Sequence, residues 1–198
     1  MAVAELTKRD DALAAIVRQH GHPPLWARRP GFATLVRIIL EQQVSLAAAR
    51  TMFRRVHDAL DGVTPSTVWT AGPGGLRALG LTGQKAAYCH GLAGAIREGR
   101  IDLTAVARAD DATGRAMLLA MPGLGPWSVD VYFLMALRRP DVWPHGDLAL
   151  AVAVQRLERW GARPDHRALT SYATRWSPWR SVAARILWMD YLAHASRR

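Results

Sequence analysis

Apolar residues in this chain recur at helical spacing, and nowhere do they alternate with polar ones as a half-buried strand requires. Leu13, Ile16 and Val17 share one face of a run over residues 9–20, which Gly-His-Pro-Pro stops. A second run starts at Phe32 and continues through Glu41, Gln42 and Gln43. Ser45 is placed to cap a third, over 46–60, on which Arg50, Arg54 and Arg55 share a basic side; Asp61-Gly62 ends it. Further helices are expected over 65–71, 76–80, 84–97, 102–106, 111–120, 127–137, 148–160, 164–176 and 178–195. Tight Gly/Pro turns separate them, and 139–145 reads as an irregular link. No repeat of solenoid period is present. The expected fold class is therefore all-α, with the middle helices in one lobe and the first and last in another. The approximate bounds are 30–115 for the former and 1–29 plus 116–198 for the latter.

At 198 residues the chain can bury roughly 70 % of its unfolded surface. Half the residues are apolar and 21 % are charged, which excludes a disordered chain. A single cysteine, Cys89, excludes an internal disulfide, a four-cysteine iron–sulfur cluster and a Cys-rich zinc site. The first residues are too polar for a signal peptide and no apolar run reaches membrane length, so a cytoplasmic, bacterial-type protein is expected. The formal charge of +10 favours a polyanionic partner, nucleic acid first, over a generic basic surface. Only Lys8 and Lys85 of the 26 basic residues are lysines, which limits the amine nucleophiles.

The most informative segment runs from Leu118 to Ser128: helix, Met121-Pro122-Gly123-Leu124-Gly125-Pro126, helix. Two glycines permit a tight turn and close approach of another molecule. Pro126 suits the first position of the next helix. The amides of Gly123, Gly125 and Ser128 then lie at or near a helix N-terminus, where a DNA phosphate is favoured. Taken alone, Gly-Leu-Gly-Pro is equally consistent with an ordinary helix–helix turn. Asp147 follows twenty residues after Trp127, directly before the apolar run 148–157. An isolated aspartate there reads first as an N-cap.

The hairpin and Asp147, in this order, resemble the helix–hairpin–helix DNA glycosylase superfamily. More closely, the chain resembles the AlkA-like alkylbase glycosylases, the 3-methyladenine DNA glycosylase II family. Ile38-Ile39-Leu40-Glu41-Gln42-Gln43-Val44-Ser45 looks like that family's minor-groove probing segment. Trp127 falls where the family has a tryptophan after the hairpin. Arg175-Trp176-Ser177-Pro178-Trp179-Arg180-Ser181, with Trp188 beyond it, looks like its C-terminal signature. The resemblance covers nearly the whole chain and implies two helical lobes with a cleft between them. It includes no counterpart of the separate N-terminal β-rich domain of some larger members.

That resemblance implies excision of alkylated bases, of the 3-methyladenine and 7-methylguanine type with ethenoadenine or hypoxanthine also considered, from double-stranded DNA. The base is flipped out and its N-glycosidic bond hydrolysed, leaving an abasic site. Asp147 would stabilise the sugar cation and orient or deprotonate the attacking water. The cap position is compatible with this role, because a helix N-terminus favours negative charge. Bifunctional relatives use a hairpin lysine as a Schiff-base nucleophile. Trp127 occupies that position, so a monofunctional enzyme without lyase activity is expected. Trp127 and Trp188 match pocket aromatics that would favour a cationic base, with core packing as the alternative for each. The family's pocket tyrosine is replaced by Val131, with Tyr132 beside it, which leaves the stacking surface reduced or rebuilt. Gln43, or its neighbour Gln42, matches the residue that fills the hole left by the flipped base; a solvent-facing polar pair is the plainer reading. No cofactor is required. The carbonyls of Leu119, Met121 and Leu124 match those that hold a structural monovalent or hard cation in the superfamily. Double-stranded DNA is the expected partner, the nucleoid the place of action, and a monomer the working state. The alternatives are a catalytically silent DNA-binding protein of the same fold and a glycosylase for another lesion class.

Overall fold

The computed structural model describes residues 1–195, and among these every regular element is a helix. The last three residues of the expected C-terminal lobe, 196–198, lie outside the described residues. Two compact units divide the chain, one of residues 28–132 and the other of 1–27 with 133–198. No described helix is long and apolar enough to cross a membrane.

The middle unit contains α3 (Phe32–Glu41), α4 (Leu46–Ala59), α5 (Pro65–Ala78), α6 (Gly83–Arg97), α7 (Leu103–Arg108), α8 (Asp111–Leu119) and most of α9 (Pro126–Met135). Its centre is α3, where Leu35, Val36, Ile38, Ile39 and Leu40 are all buried. A helix apolar on nearly every face must be surrounded, and α3 packs on both α4 and α6. The break expected between the runs over 65–71 and 76–80 falls at Gly72, whose φ of 63° and ψ of 170° are not helical, so α5 is two helical stretches that meet at a kink.

The other unit contains α1 (Ala2–Arg9), α2 (Asp11–His20), α10 (Leu148–Leu157), α11 (His166–Ala173), a 3-10 turn (Thr174–Trp176) and α12 (Arg180–Ala195). Here α12 is central, packing on α1, α2, α10 and the 3-10 turn. The polar opening of the chain is itself helical, which its sequence did not suggest: Leu6 alone anchors α1, fully buried. Asp10 joins α1 to α2. One carboxylate oxygen caps α2 through the Leu13 amide and the other accepts from Trp176 Nε1 at 2.7 Å.

Side-chain caps set most helix starts. Asp10, Ser45, Thr64, Thr82, Asp102, Asp110, Asp147 and Asp165 each accept a backbone amide of their own helix, worth about 1 kcal/mol apiece. The expected ends at Gln43 and Trp160 move back to Glu41 and Leu157, because Gln42 (ψ 125°) is extended and Arg159 (φ 53°) leaves the helical region. The division between units also differs from the expected boundary at 115. Residues 116–132, hairpin included, belong to the middle unit, held there by Gln42, Tyr88 and Arg115 as described next.

Candidate active site

In the middle unit, α8 ends at Leu119 and α9 begins at Pro126. The Gly125 carbonyl accepts the Val129 N–H at 3.1 Å, which makes Gly125 the N-cap. The amides of Trp127 and Ser128 thus fall in the first turn of α9. An ion pair from Arg115 of α8 to the buried Asp130 of α9 fastens the two helices across the turn. The glycines do different jobs. Gly123 has φ 88°, and a Cβ there would come within 2.3 Å of Tyr88 Cγ, so it admits the Tyr88 ring from α6. Around Gly125 a Cβ would meet nothing within 4 Å, and the residue is exposed. Gly125 is therefore the point of the turn that another molecule can approach.

The two glutamines, equivalent in the sequence, are separated by the structure. Gln42 Nε2 donates to the Gly123 carbonyl and to Ser128 Oγ, both at 2.8 Å. It ties the end of α3 to the hairpin. Gln43 is exposed and stands in the left-handed backbone region. Ser128 is buried, with its hydroxyl accepting from Gln42; the group expected to meet a phosphate is its amide. Gln42, Gln43, Gln84, Tyr88 and the 119–125 turn line a groove of about 510 Å³. The carbonyls of Leu119, Met121 and Leu124 belong to this turn, and that of Met121 also accepts the Leu124 amide at 3.1 Å.

Lys85 is singled out in the sequence only as one of two lysines. It is 8 % exposed, and its Nζ donates to the carbonyls of Leu40 at 2.7 Å and Gln42 at 3.0 Å. A cation thereby meets the negative end of α3 and fixes the backbone immediately before Gln43. The sequence signal against this role is position. Lys85 stands in the first turn of α6, where a cation is disfavoured locally; only α3 explains it. Burial pushes its ammonium below the ordinary lysine value, with the Cys89 thiol acting the other way. Glu41, also buried, is bound by both guanidinium nitrogens of Arg28 at 2.8 and 2.9 Å and by Arg37 at 3.2 Å. Arg50, Arg54 and Arg55 are all exposed on α4.

Trp127 is half-buried in the first turn of α9. Val131, one turn on, is 2 % exposed. Tyr132 does not rebuild the stacking surface. Its ring is fully buried and its hydroxyl accepts the Gly31 amide at 3.0 Å.

In the other unit, Asp147 is 7 % exposed and caps α10. Its Oδ1 accepts the Leu150 amide at 2.9 Å and Trp188 Nε1 at 3.2 Å. The cap and the carboxylate-with-aromatic pair are thus one arrangement. Trp188 meets Trp26 edge to face, with ring centroids 6.4 Å apart. Trp26 was not singled out in the sequence, where its only signal is an aromatic residue shortly after Pro23-Pro24.

The C-terminal signature acts on the link that leads to Asp147. Arg180 grips both carboxylate oxygens of Asp141 at 2.8 and 2.9 Å, and Ser177 Oγ adds a bond at 2.8 Å. Ser181 Oγ accepts the Val142 amide at 2.9 Å and donates to the Arg139 carbonyl at 2.7 Å. Trp143 packs against Trp176. Burial alone would raise the Asp141 pKa, but its bonds to Arg180 and Ser177 outweigh that and hold it below the ordinary carboxylate value. Elsewhere, His145 and His166 are exposed with ring centroids 4.8 Å apart, and the described residues contain no cluster of three His, Cys, Asp or Glu suited to a metal. Cys89 is buried, as expected, and burial pushes its thiol up to about 12.

A hairpin between two short helices, followed by an aspartate at the next helix start, matches a family defined by that arrangement. The model of the HhH-GPD superfamily of base excision DNA repair proteins fits residues 36–178. The chain belongs to this superfamily. Among its relatives is a Mycobacterium tuberculosis protein named "Probable bifunctional transcriptional activator/DNA repair enzyme AlkA", 36 % identical over 166 residues, with 77 % of this chain and 32 % of that protein covered. Another is DNA-3-methyladenine glycosylase 2 of Escherichia coli, 32 % identical over 184 residues, covering 83 % of this chain and 62 % of the relative. The HhH-GPD chain described here thus spans about a third of the first relative's length and less than two thirds of the second's. The fold is that of the Schizosaccharomyces pombe 3-methyladenine DNA glycosylase solved with abasic DNA (TM-score 0.88, 24 % identity, 94 % of each chain). A Bacillus halodurans DNA-3-methyladenine glycosidase is also similar (TM-score 0.78, 26 % identity, 98 % of this chain and 91 % of that one).

Proposed function

We propose that this HhH-GPD protein is a monofunctional DNA glycosylase that removes alkylated bases from double-stranded DNA and leaves an abasic site. The observation that carries the reading is Asp147, a largely buried carboxylate at a helix start with a tryptophan N–H on one oxygen. Its relatives' names supply the lesion class. In this reading the amides of Gly123, Gly125 and Ser128 hold a backbone phosphate, and Gln43 fills the space left by the flipped base. Asp147 stabilises positive charge on the sugar as the bond to the base lengthens, and orients the water that attacks it. Trp188 positions the carboxylate and offers an electron-rich face to a cationic base. Hydrolysis without strand cleavage is supported by the lysines. Lys85 Nζ is committed to two carbonyls, Lys8 lies exposed on α1, and the hairpin position of the Schiff-base lysine is Trp127. The carbonyls of Leu119, Met121 and Leu124 are the groups that would hold a monovalent or hard cation in the turn. The enzyme acts as a monomer in the cytoplasm, on nucleoid DNA.

The test uses end-labelled duplexes carrying one alkylated base, hypoxanthine or ethenoadenine, with wild type and Asp147→Asn, each split for treatment with hot alkali. Cleavage only after alkali, lost in the mutant, is the expected result. Cleavage without alkali would establish a lyase and refute the lysine reasoning. No base release with tight duplex binding retained would identify a silent DNA-binding protein.

A further inference from the structure

We propose that Gln84 and Tyr88 form a minor-groove reader that gives this protein a sequence context: it favours a G·C pair beside the lesion. The inference rests on the glycosylase reading above and adds two residues outside the motifs. Both lie on α6, four apart and therefore on one face. Both line the groove of about 510 Å³ that Gln43 and the hairpin turn also line. Each is tied to one side of it. Lys85, the residue after Gln84, bonds the Gln42 carbonyl, so Gln84 and Gln43 each stand one residue from that contact. The Tyr88 ring lies against Gly123 of the hairpin, where an added Cβ would come within 2.3 Å of its Cγ. The pair thus lies between the residue that fills the flipped base's place and the turn that holds a phosphate.

The chemistry of this part of the groove points to base edges rather than phosphate. Lys85 is its one charged residue among those described, and Lys85 Nζ is already bonded to two carbonyls. Surfaces that neutralise phosphates present cations; this one presents amides and a phenol. Gln84 Nε2 donates to the Tyr88 hydroxyl oxygen at 2.8 Å. That bond leaves the Gln84 carbonyl oxygen as an acceptor and the Tyr88 hydroxyl hydrogen as a donor, side by side. The seat of the ring against Gly123 sets the hydroxyl, and the hydroxyl sets which end of the amide is left over. Gln84 is exposed, so packing does not call for its amide. In the minor groove an A·T pair shows acceptors only, whereas G·C adds the guanine 2-amino donor. An acceptor beside a donor matches G·C: Gln84 Oε1 accepts from guanine N2, and the hydroxyl donates to guanine N3 or cytosine O2. Against A·T the Gln84 oxygen meets no donor and gives up its bond to water without a replacement.

The test is the affinity of the full chain for duplexes carrying one tetrahydrofuran abasic-site analogue, read by fluorescence anisotropy. The pair on each side of the analogue is made G·C, A·T or 2,6-diaminopurine·T in turn. The last of these adds the minor-groove amino group to an A·T pair. Wild type is expected to bind about three- to tenfold more tightly with G·C or diaminopurine·T than with A·T, on one side of the analogue. Gln84→Met removes the acceptor and should abolish the preference; Tyr88→Phe, which keeps the ring against Gly123, should reduce it. Equal affinity for the three pairs on both sides, a G·C preference that diaminopurine·T does not share, or a preference that survives Gln84→Met would overturn the proposal. The glycosylase reading does not fall with it, because base release from the lesion duplexes is measured separately. A Gln84-dependent preference for amino-bearing pairs, with no base released from any lesion, keeps the reader while the glycosylase reading fails. Failure of wild type to bind any of these duplexes overturns both.

Discussion

Replacing Lys85 by methionine removes the ammonium and keeps an unbranched side chain of the length of the remaining lysine stem, and so isolates what the ammonium does. Two carbonyls lose their donor, those of Leu40 and Gln42 at 2.7 and 3.0 Å. A bond to a charged group contributes about 1.5–3 kcal/mol, so the pair is worth about 4 kcal/mol before other terms. The buried ammonium returns part of that, because its desolvation penalty disappears with it. A net loss of about 2 kcal/mol is expected, which for a chain of this size lowers the melting temperature by roughly 4–8 °C. Thermal unfolding followed by circular dichroism reads this directly. Because the folded lysine has a lowered pKa, the unfolded chain holds the extra proton in the alkaline window below the ordinary lysine value. Wild-type stability relative to the methionine variant should therefore rise with pH across that window. The second readout is function: with the end of α3 loosened, Gln43 loses its set backbone and affinity for duplex containing an abasic site falls. A melting temperature within about 1 °C of wild type would refute the reasoning, since it would mean that both carbonyls find other donors.

Three further outcomes are expected. Gly123→Ala combines a left-handed backbone with a Cβ within 2.3 Å of Tyr88 Cγ; it should cost at least about 2 kcal/mol in urea unfolding, and much less when made together with Tyr88→Ala. Asp141 has a depressed folded pKa, so its contribution is present above the ordinary carboxylate value and is lost as pH falls through the folded one; the stability gap between wild type and Asp141→Asn should narrow on acidification below about pH 4, and a constant gap would exclude the role. Cys89, buried with its thiol raised to about 12, should resist a thiol-specific reagent at pH 8 in the folded protein and react fully in denaturant; rapid native-state labelling would contradict the burial.

The helical class, most helix starts, the hairpin and the place of Asp147 were legible along the chain, because each is written by residues close in sequence. Asp147, Ser45 and Thr82 cap within three residues of themselves, and Gly and Pro act on their own backbone angles. The local signals went no further. Gln42 and Gln43 are chemically identical neighbours, and only the hairpin's Gly123 and Ser128, brought close by folding, divide them into a tie and an exposed side chain. Lys85 contradicts the preference of its own helix because it serves another one. The Arg-Trp-Ser-Pro-Trp-Arg-Ser signature was recognisable as a string, yet its work of gripping Asp141 and the Arg139 and Val142 backbone lies on a distant segment. Trp26 carried almost no sequence signal, since its partner ring is the distant Trp188. The sequence alone determined which segments coil and which chemistry-bearing groups exist. Tertiary structure decided which of those groups are engaged and which are exposed, because that depends on packing and hydrogen bonds between residues far apart in the chain.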